Sequence, residues 1–90
     1  MSEIIVVKLN TSEELIAELT HDTTDRLFVN RPRVIQIMNS SGAAGLIPYI
    51  VSDSERSNVP LPKNIIVTYF SASKELSDAY LRSTTGLLLG

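Results

Sequence analysis

The apolar residues of this chain come in runs too short for core helices, and the strongest runs are rich in β-branched residues. Glu3-Ile4-Ile5-Val6-Val7-Lys8-Leu9 is the clearest case. Such a run suits a pleated, half-buried surface better than a helix. Asn10-Thr11-Ser12 follows as a polar turn, after which Leu15, Ala17 and Leu19 alternate with Ile16, Glu18 and Thr20. That period of two predicts a second strand. A helix over 13–19 competes, because Glu13, Glu14, Leu15, Ala17, Glu18 and Leu19 all favour one. It would meet the polar stretch His21-Asp22-Thr23-Thr24 after barely two turns, so the strand is preferred.

The same punctuation continues. Leu27-Phe28-Val29 and Val34 to Met38 read as one long strand interrupted by Pro32. A proline cannot donate to a strand ladder, so it belongs at a bend, bulge or edge. Asn39 to Gly45 is a hairpin loop, and Leu46 to Val51 returns with a second proline at 48. Val59-Pro60-Leu61-Pro62 is extended and stiff, leading into Ile65 to Phe70. The end of the chain changes period. Ser73 caps a helix with Glu75 in its first turn, Leu76, Ala79, Tyr80 and Ser83 form its apolar stripe, and Gly86 stops it. The expectation is one all-β domain over 1–90, with strands near 3–9, 14–20, 27–38, 45–51 and 64–70 and a helix near 74–84. It forms a small, strongly bent, antiparallel open barrel with about five strands.

Composition narrows the function. Ninety residues with ten acidic and eight basic side chains carry a net charge of −2, which opposes nucleic-acid binding by bulk charge but permits a local basic patch. There is no cysteine, hence no disulfide, thiolate metal site or cysteine nucleophile. No apolar run approaches the roughly 18 residues of a membrane span, and the acidic start at Met1-Ser2-Glu3 does not read as a secretory leader. No membrane partner and a cytoplasmic location are expected. A chain this small buries only about 60–65% of its unfolded surface, so association with copies of itself is a natural stabiliser.

Catalytic motifs are weak. His21-Asp22 lacks a second ligand or base at useful spacing and reads as a solvated turn. Asp22 and Asp25 flank a polar turn rather than a cleft, Ser73 and Ser83 lack a nucleophile elbow, and Gly42 and Gly45 lack a phosphate-loop lysine. Neither a catalytic residue, a metal site nor a cofactor is expected. Asn39-Ser40-Ser41 matches a glycosylation acceptor by chance, and Leu87-Leu88-Leu89 reads as an apolar tail that docks into the subunit interface or covers the helix.

Leu15-x-Ala17-x-Leu19, the turn with Asp22, and Leu27-x-Val29 resemble the first Sm motif, and Lys63-Asn64-Ile65-Ile66-Val67 resembles the end of the second. Across nearly its full length the chain is similar to Sm-like (LSm-type) proteins of cyanophages. The shared stretches are Lys8 to Glu18, Arg31 to Gln36, Gly45 to Tyr49 and Thr84 to Gly86. Ala17 stands where the motif has glycine, and Pro62-Lys63 where it has Arg-Gly. The resemblance implies a five-stranded bent sheet whose open edges pair head to tail into a homo-oligomeric ring of roughly five to seven subunits. In the family such a ring is non-catalytic and binds single-stranded RNA.

By that resemblance Asp22, Lys63 and Asn64 occupy RNA-binding positions. Arg31 and Arg33 are added on charge alone, against the plainer reading that they flank the bend and pair with acids such as Glu18 or Asp25. Phe28 and Tyr49 are available for stacking, against a plainer reading as packed sheet residues. The subunit seam is expected at Leu46, Ile47, Tyr49, Ile50, Ile65, Val67 and Tyr69. The alternative from a different class is a structural or protein-interaction ring of phage origin without RNA binding.

Overall fold

The structure is a computed structural model and describes residues 3–37 and 44–85. Met38 to Ala43, Gly86 and Leu87 to Leu89 lie outside the described residues, so neither the expected helix stop nor the apolar tail is placed. The chain runs β1 (Glu3–Leu9), β2 (Glu14–Asp22), β3 (Arg26–Ile37), β4 (Ala44–Pro48), β5 (Val59–Pro62), a short 3-10 turn (Lys63–Ile65), β6 (Ile66–Ser71) and α1 (Lys74–Thr85). The fold is all-β and antiparallel with one C-terminal helix, as the periodicity requires. The segment that competes as a helix in the sequence is β2.

The sheet order is β4-β3-β2-β1-β6, with β5 also paired to β3. β1 and β2 set Ile5 opposite Ala17 and Val7 opposite Leu15. Cross-strand partners share a face, so these four side chains point together. With Leu9, Leu27, Val29, Val59 and Leu61 they form the buried core. The alternate residues Val6 and Ile16 face the other way, yet they too are buried. Tyr80 of α1 is buried as well, and its hydroxyl reaches the Asn30 and Arg31 carbonyls of β3. Ser73 caps the helix, its Oγ accepting from the Leu76 N–H at 3.2 Å.

β3 is the hinge of the architecture. Its first half, Arg26 to Val29, pairs with β5, and its second half, Arg33 to Ile37, pairs with β4. Between them Arg31 adopts φ 46° just before Pro32. A non-glycine residue there carries strain on the order of 1–3 kcal/mol and persists only where its surroundings hold it. Three contacts do so. The Arg31 N–H donates to Arg56 C=O at 2.9 Å, its guanidinium meets Glu18 at 3.1 Å, and Tyr80 OH donates to the Asn30 and Arg31 carbonyls at 2.8 and 3.1 Å.

The expected elements need three corrections. Among the described residues six strands form rather than five, because the Pro-rich stretch Val59–Pro62 joins the sheet. It does so as an edge, with Val59 and Leu61 inward and both prolines exposed. β4 ends at Pro48, and Tyr49 to Val51 turn away to begin the loop to β5. Lys63 to Ile65 form a turn, so the last strand starts at Ile66.

Candidate nucleic-acid interface

β2 ends on Asp22, and the 3-10 turn after β5 begins on Lys63, 41 positions later; the fold brings their side chains together. Lys63 Nζ donates to Asp22 Oδ1 at 2.5 Å, and Tyr69 OH from β6 donates to Oδ2 at 2.6 Å. Lys63 Nζ also lies 6.0 Å from the centre of the Tyr69 ring. The main chain locks the same junction, since Lys63 N–H donates to Asp25 C=O at 2.8 Å.

The three groups tune one another. Hydrogen bonds from Lys63 and then Tyr69 hold the Asp22 carboxyl below its usual range. The bond to Asp22 raises Lys63 and, by stabilising the protonated phenol, also raises Tyr69. At neutral pH Asp22 is therefore an anion that compensates the Lys63 charge.

Lys63 also forms the wall between two surface hollows. One of about 300 Å3 is lined by Lys63, Ile66, Val67, Thr68 and Tyr69. The other, of about 380 Å3, is lined by Thr24, Asp25, Arg26, Pro62, Lys63 and Asn64. Asn64 is thus beside Lys63 on the exposed rim, as its adjacent position requires.

Arg31 and Arg33 are not brought to this rim. Arg33 lies seven positions along β3 from Arg26, about 20 Å of extended chain. It is 5% exposed, with Nη1 donating to Ser54 C=O at 2.6 Å and Nη2 to Glu55 at 3.1 Å. Arg31 pairs with Glu18, and its Nε is buried with no hydrogen-bond partner. Both arginines hold the β3 bend and the loop after β4, so the plainer reading describes their contacts. Six of the eight cationic side chains sit in ion pairs within the chain. Among the described residues Arg26 and Arg82 make none, and only Arg26 lines a hollow beside Lys63. Sequence reasoning passes over Arg26, which follows a polar turn at the start of β3; its signal is the lack of an ion pair among the described residues, which appears only in three dimensions.

The expected seam residues divide. Tyr49, Ile50, Ile65 and Tyr69 are half-buried against the core. Leu46 is half-buried on β4, whereas Ile47 on β4 and Val67 on β6 are exposed. Phe70, at the end of the strand Ile65 to Phe70 expected at the seam, is 55% exposed, and Val67 on the same strand is 65% exposed. The two strands carrying these side chains are the outermost in the sheet order. Ala72 N–H donates to Ile4 C=O at 2.9 Å. By the alternation of an antiparallel ladder, the main-chain groups of Tyr69 and Ser71 then face away from β1.

Among the described residues no group of three histidine or carboxylate side chains could hold a metal ion, and no helix is long and apolar enough to cross a membrane. No protein-family model matches the chain, and no curated protein matches it.

Proposed function

We propose that this chain is a non-catalytic Sm-like module that closes into a homo-oligomeric ring and binds single-stranded RNA along the rim formed by Arg26, Lys63 and Asn64. The observation that carries the assembly is the pair of outermost strands, β4 and β6, each with one neighbour and with exposed Ile47, Val67 and Phe70. An unpaired edge with apolar flanks is an aggregation hazard unless a partner fills it. Pairing β6 of one copy with β4 of the next satisfies both edges by a head-to-tail contact, which closes when the rotation per subunit allows.

RNA binding follows from repetition. One free guanidinium per chain is a weak anion site, but a ring places a copy on every subunit and converts the set into a multivalent track. Asp22 orients Lys63 on this rim while moderating its charge. The cytoplasm of an infected host cell is the setting that the cyanophage resemblance implies.

A second reading is favoured by a specific observation, the internal pairing of six of the eight cations. In that reading the ring binds protein and not RNA. Light scattering on the wild type and on Val67→Lys/Phe70→Lys tests assembly first. A multimer that falls to monomer in the variant is expected, and a wild-type monomer at micromolar concentration overturns both readings. Anisotropy with oligo-uridine then separates them. Salt-sensitive binding that weakens in Arg26→Ala supports the RNA reading, with a slope on log salt shallower by about 0.7 for each phosphate no longer neutralised. No binding at low salt leaves the protein-interaction ring.

A further inference from the structure

β4 and β5 pair with the second and first halves of β3 and so form one long edge of the sheet. Two main-chain bonds fix which of their residues face outward. Tyr49 N–H donates to Pro32 C=O at 3.0 Å, and Lys63 N–H donates to Asp25 C=O at 2.8 Å. Both residues therefore turn their main chain toward β3, and in an antiparallel ladder the next residue turns the other way. Counting back through the register, Ala44, Leu46 and Pro48 on β4 and Pro60 and Pro62 on β5 face away from β3. All three of these prolines are exposed. A proline has no N–H to give, so of the outward positions only Ala44 and Leu46 keep a donor.

We propose that Pro48, Pro60 and Pro62 decide where this chain pairs: they close the β4–β5 edge to strand addition except at Ala44 and Leu46, where it takes β6 of a second copy. A strand laid along β5 meets no donor at either outward position, and its own carbonyls are left unpaired out of water. Proline on an edge is a known guard against such pairing. The needs of the fold account for the absence of proline at the inward positions Gly45, Ile47, Val59 and Leu61, where β3 uses the main chain. They do not call for proline at the outward ones.

β6 suits the open window. It holds no proline, and its outward residues Tyr69 and Ser71 have the same spacing as Ala44 and Leu46. Two such pairs, set opposite each other, exchange both main-chain bonds of each pair. This occupant rests on the assembly reading above, whereas the closure of β5 does not.

The test is sedimentation velocity on the full chain across concentration, with circular dichroism as the check on folding. Leu46→Pro and Ser71→Pro each remove an outward N–H that the chain's own ladder does not use. Each is expected to stay folded and to raise the dissociation constant of the assembly about tenfold or more. Pro60→Thr/Pro62→Thr restores two outward donors at exposed positions and is expected to raise the mean mass about twofold or more at micromolar concentration. A threonine variant with the mass distribution of the wild type overturns the closure, because the prolines are then merely tolerated. A folded Leu46→Pro chain that assembles as tightly as the wild type overturns the window. Loss of assembly in Leu46→Pro but not in a folded Ser71→Pro overturns β6 as the occupant. A wild-type monomer removes the assembly reading and that occupant together. The threonine variant then decides the closure by itself, as it does if either proline variant unfolds: self-association supports it and an unchanged mass overturns it.

Discussion

Arg33 on β3 and Lys63 at the rim each meet a carboxylate, at 3.1 Å and 2.5 Å, yet the two pairs belong to different kinds of surface. Arg33 is buried and reaches outward to Glu55, whose side chain is 61% exposed, while its second donor holds the Ser54 carbonyl. Lys63 and Asp22 are both partly exposed and share their charge with Tyr69. At the bend a charged group works mainly as a hydrogen-bond donor and a packed stem inside the fold. At the rim the charges remain within reach of water, salt and ligand. Positive charge at the β3 bend therefore does not mark a binding surface; what separates it from the rim is that the paired charge at the rim stays exposed.

The comparison is broken most strongly at Tyr80, the neutral anchor of the bend. Tyr80→Ala is expected to cost about 3–5 kcal/mol in urea denaturation. Tyr80→Phe keeps the ring but leaves the Asn30 and Arg31 carbonyls without this donor, at about 1–3 kcal/mol. A Tyr80→Phe chain as stable as the parent would show that this hydroxyl does not pin the strained residue.

A smaller effect separates donor from ion pair. Arg33→Ala loses the bond to Ser54 and the packed stem, and is expected to cost about 1–3 kcal/mol. Glu55→Gln removes only a solvent-exposed charge, worth less than about 1 kcal/mol. The reverse order would make the bend an electrostatic feature like the rim.

The smallest effect is the pH response of the rim. Asp22 is held below its ordinary 3.8, so its contribution to stability is full above that value and is lost as pH falls through the folded value. Lys63 and Tyr69 are raised above their ordinary 10.5 and 10.0. Their contributions are full below those values and are lost as pH rises through the folded ones. Melting temperature against pH is therefore expected to be flat from about 4 to 10 as far as these groups are concerned, with a limb at each end. Asp22→Asn shrinks both limbs, because one carboxylate serves both partners. An alkaline limb unchanged in that variant would place its cause elsewhere.

Much of the architecture is local and hence readable in advance. The alternation of Leu15, Ala17 and Leu19 separates a strand from a helix, Pro32 marks the bend, and Ser73 marks the helix start; each acts through its nearest neighbours. β5 escapes such a reading because a segment with prolines at two of its four positions looks unable to join a ladder. It joins as an edge, pairing with β3 while its prolines stay exposed. Exposure along β6 is not readable in advance, because bulk alone ranks Val67, Tyr69 and Phe70 together, while exposure depends on which strand has no outer neighbour.

The candidate site divides in the same way. Motif position selects Asp22, Lys63 and Asn64, which do lie on one rim, whereas charge alone selects Arg31 and Arg33, which are held inside the chain. Sequence alone determined the strand periods, the bend and the capped helix, because these follow from side-chain alternation and backbone preference over a few residues. Only the tertiary structure decided which cations are neutralised and that Arg26 is not. Those outcomes depend on distances between residues far apart in the chain, which no local pattern encodes.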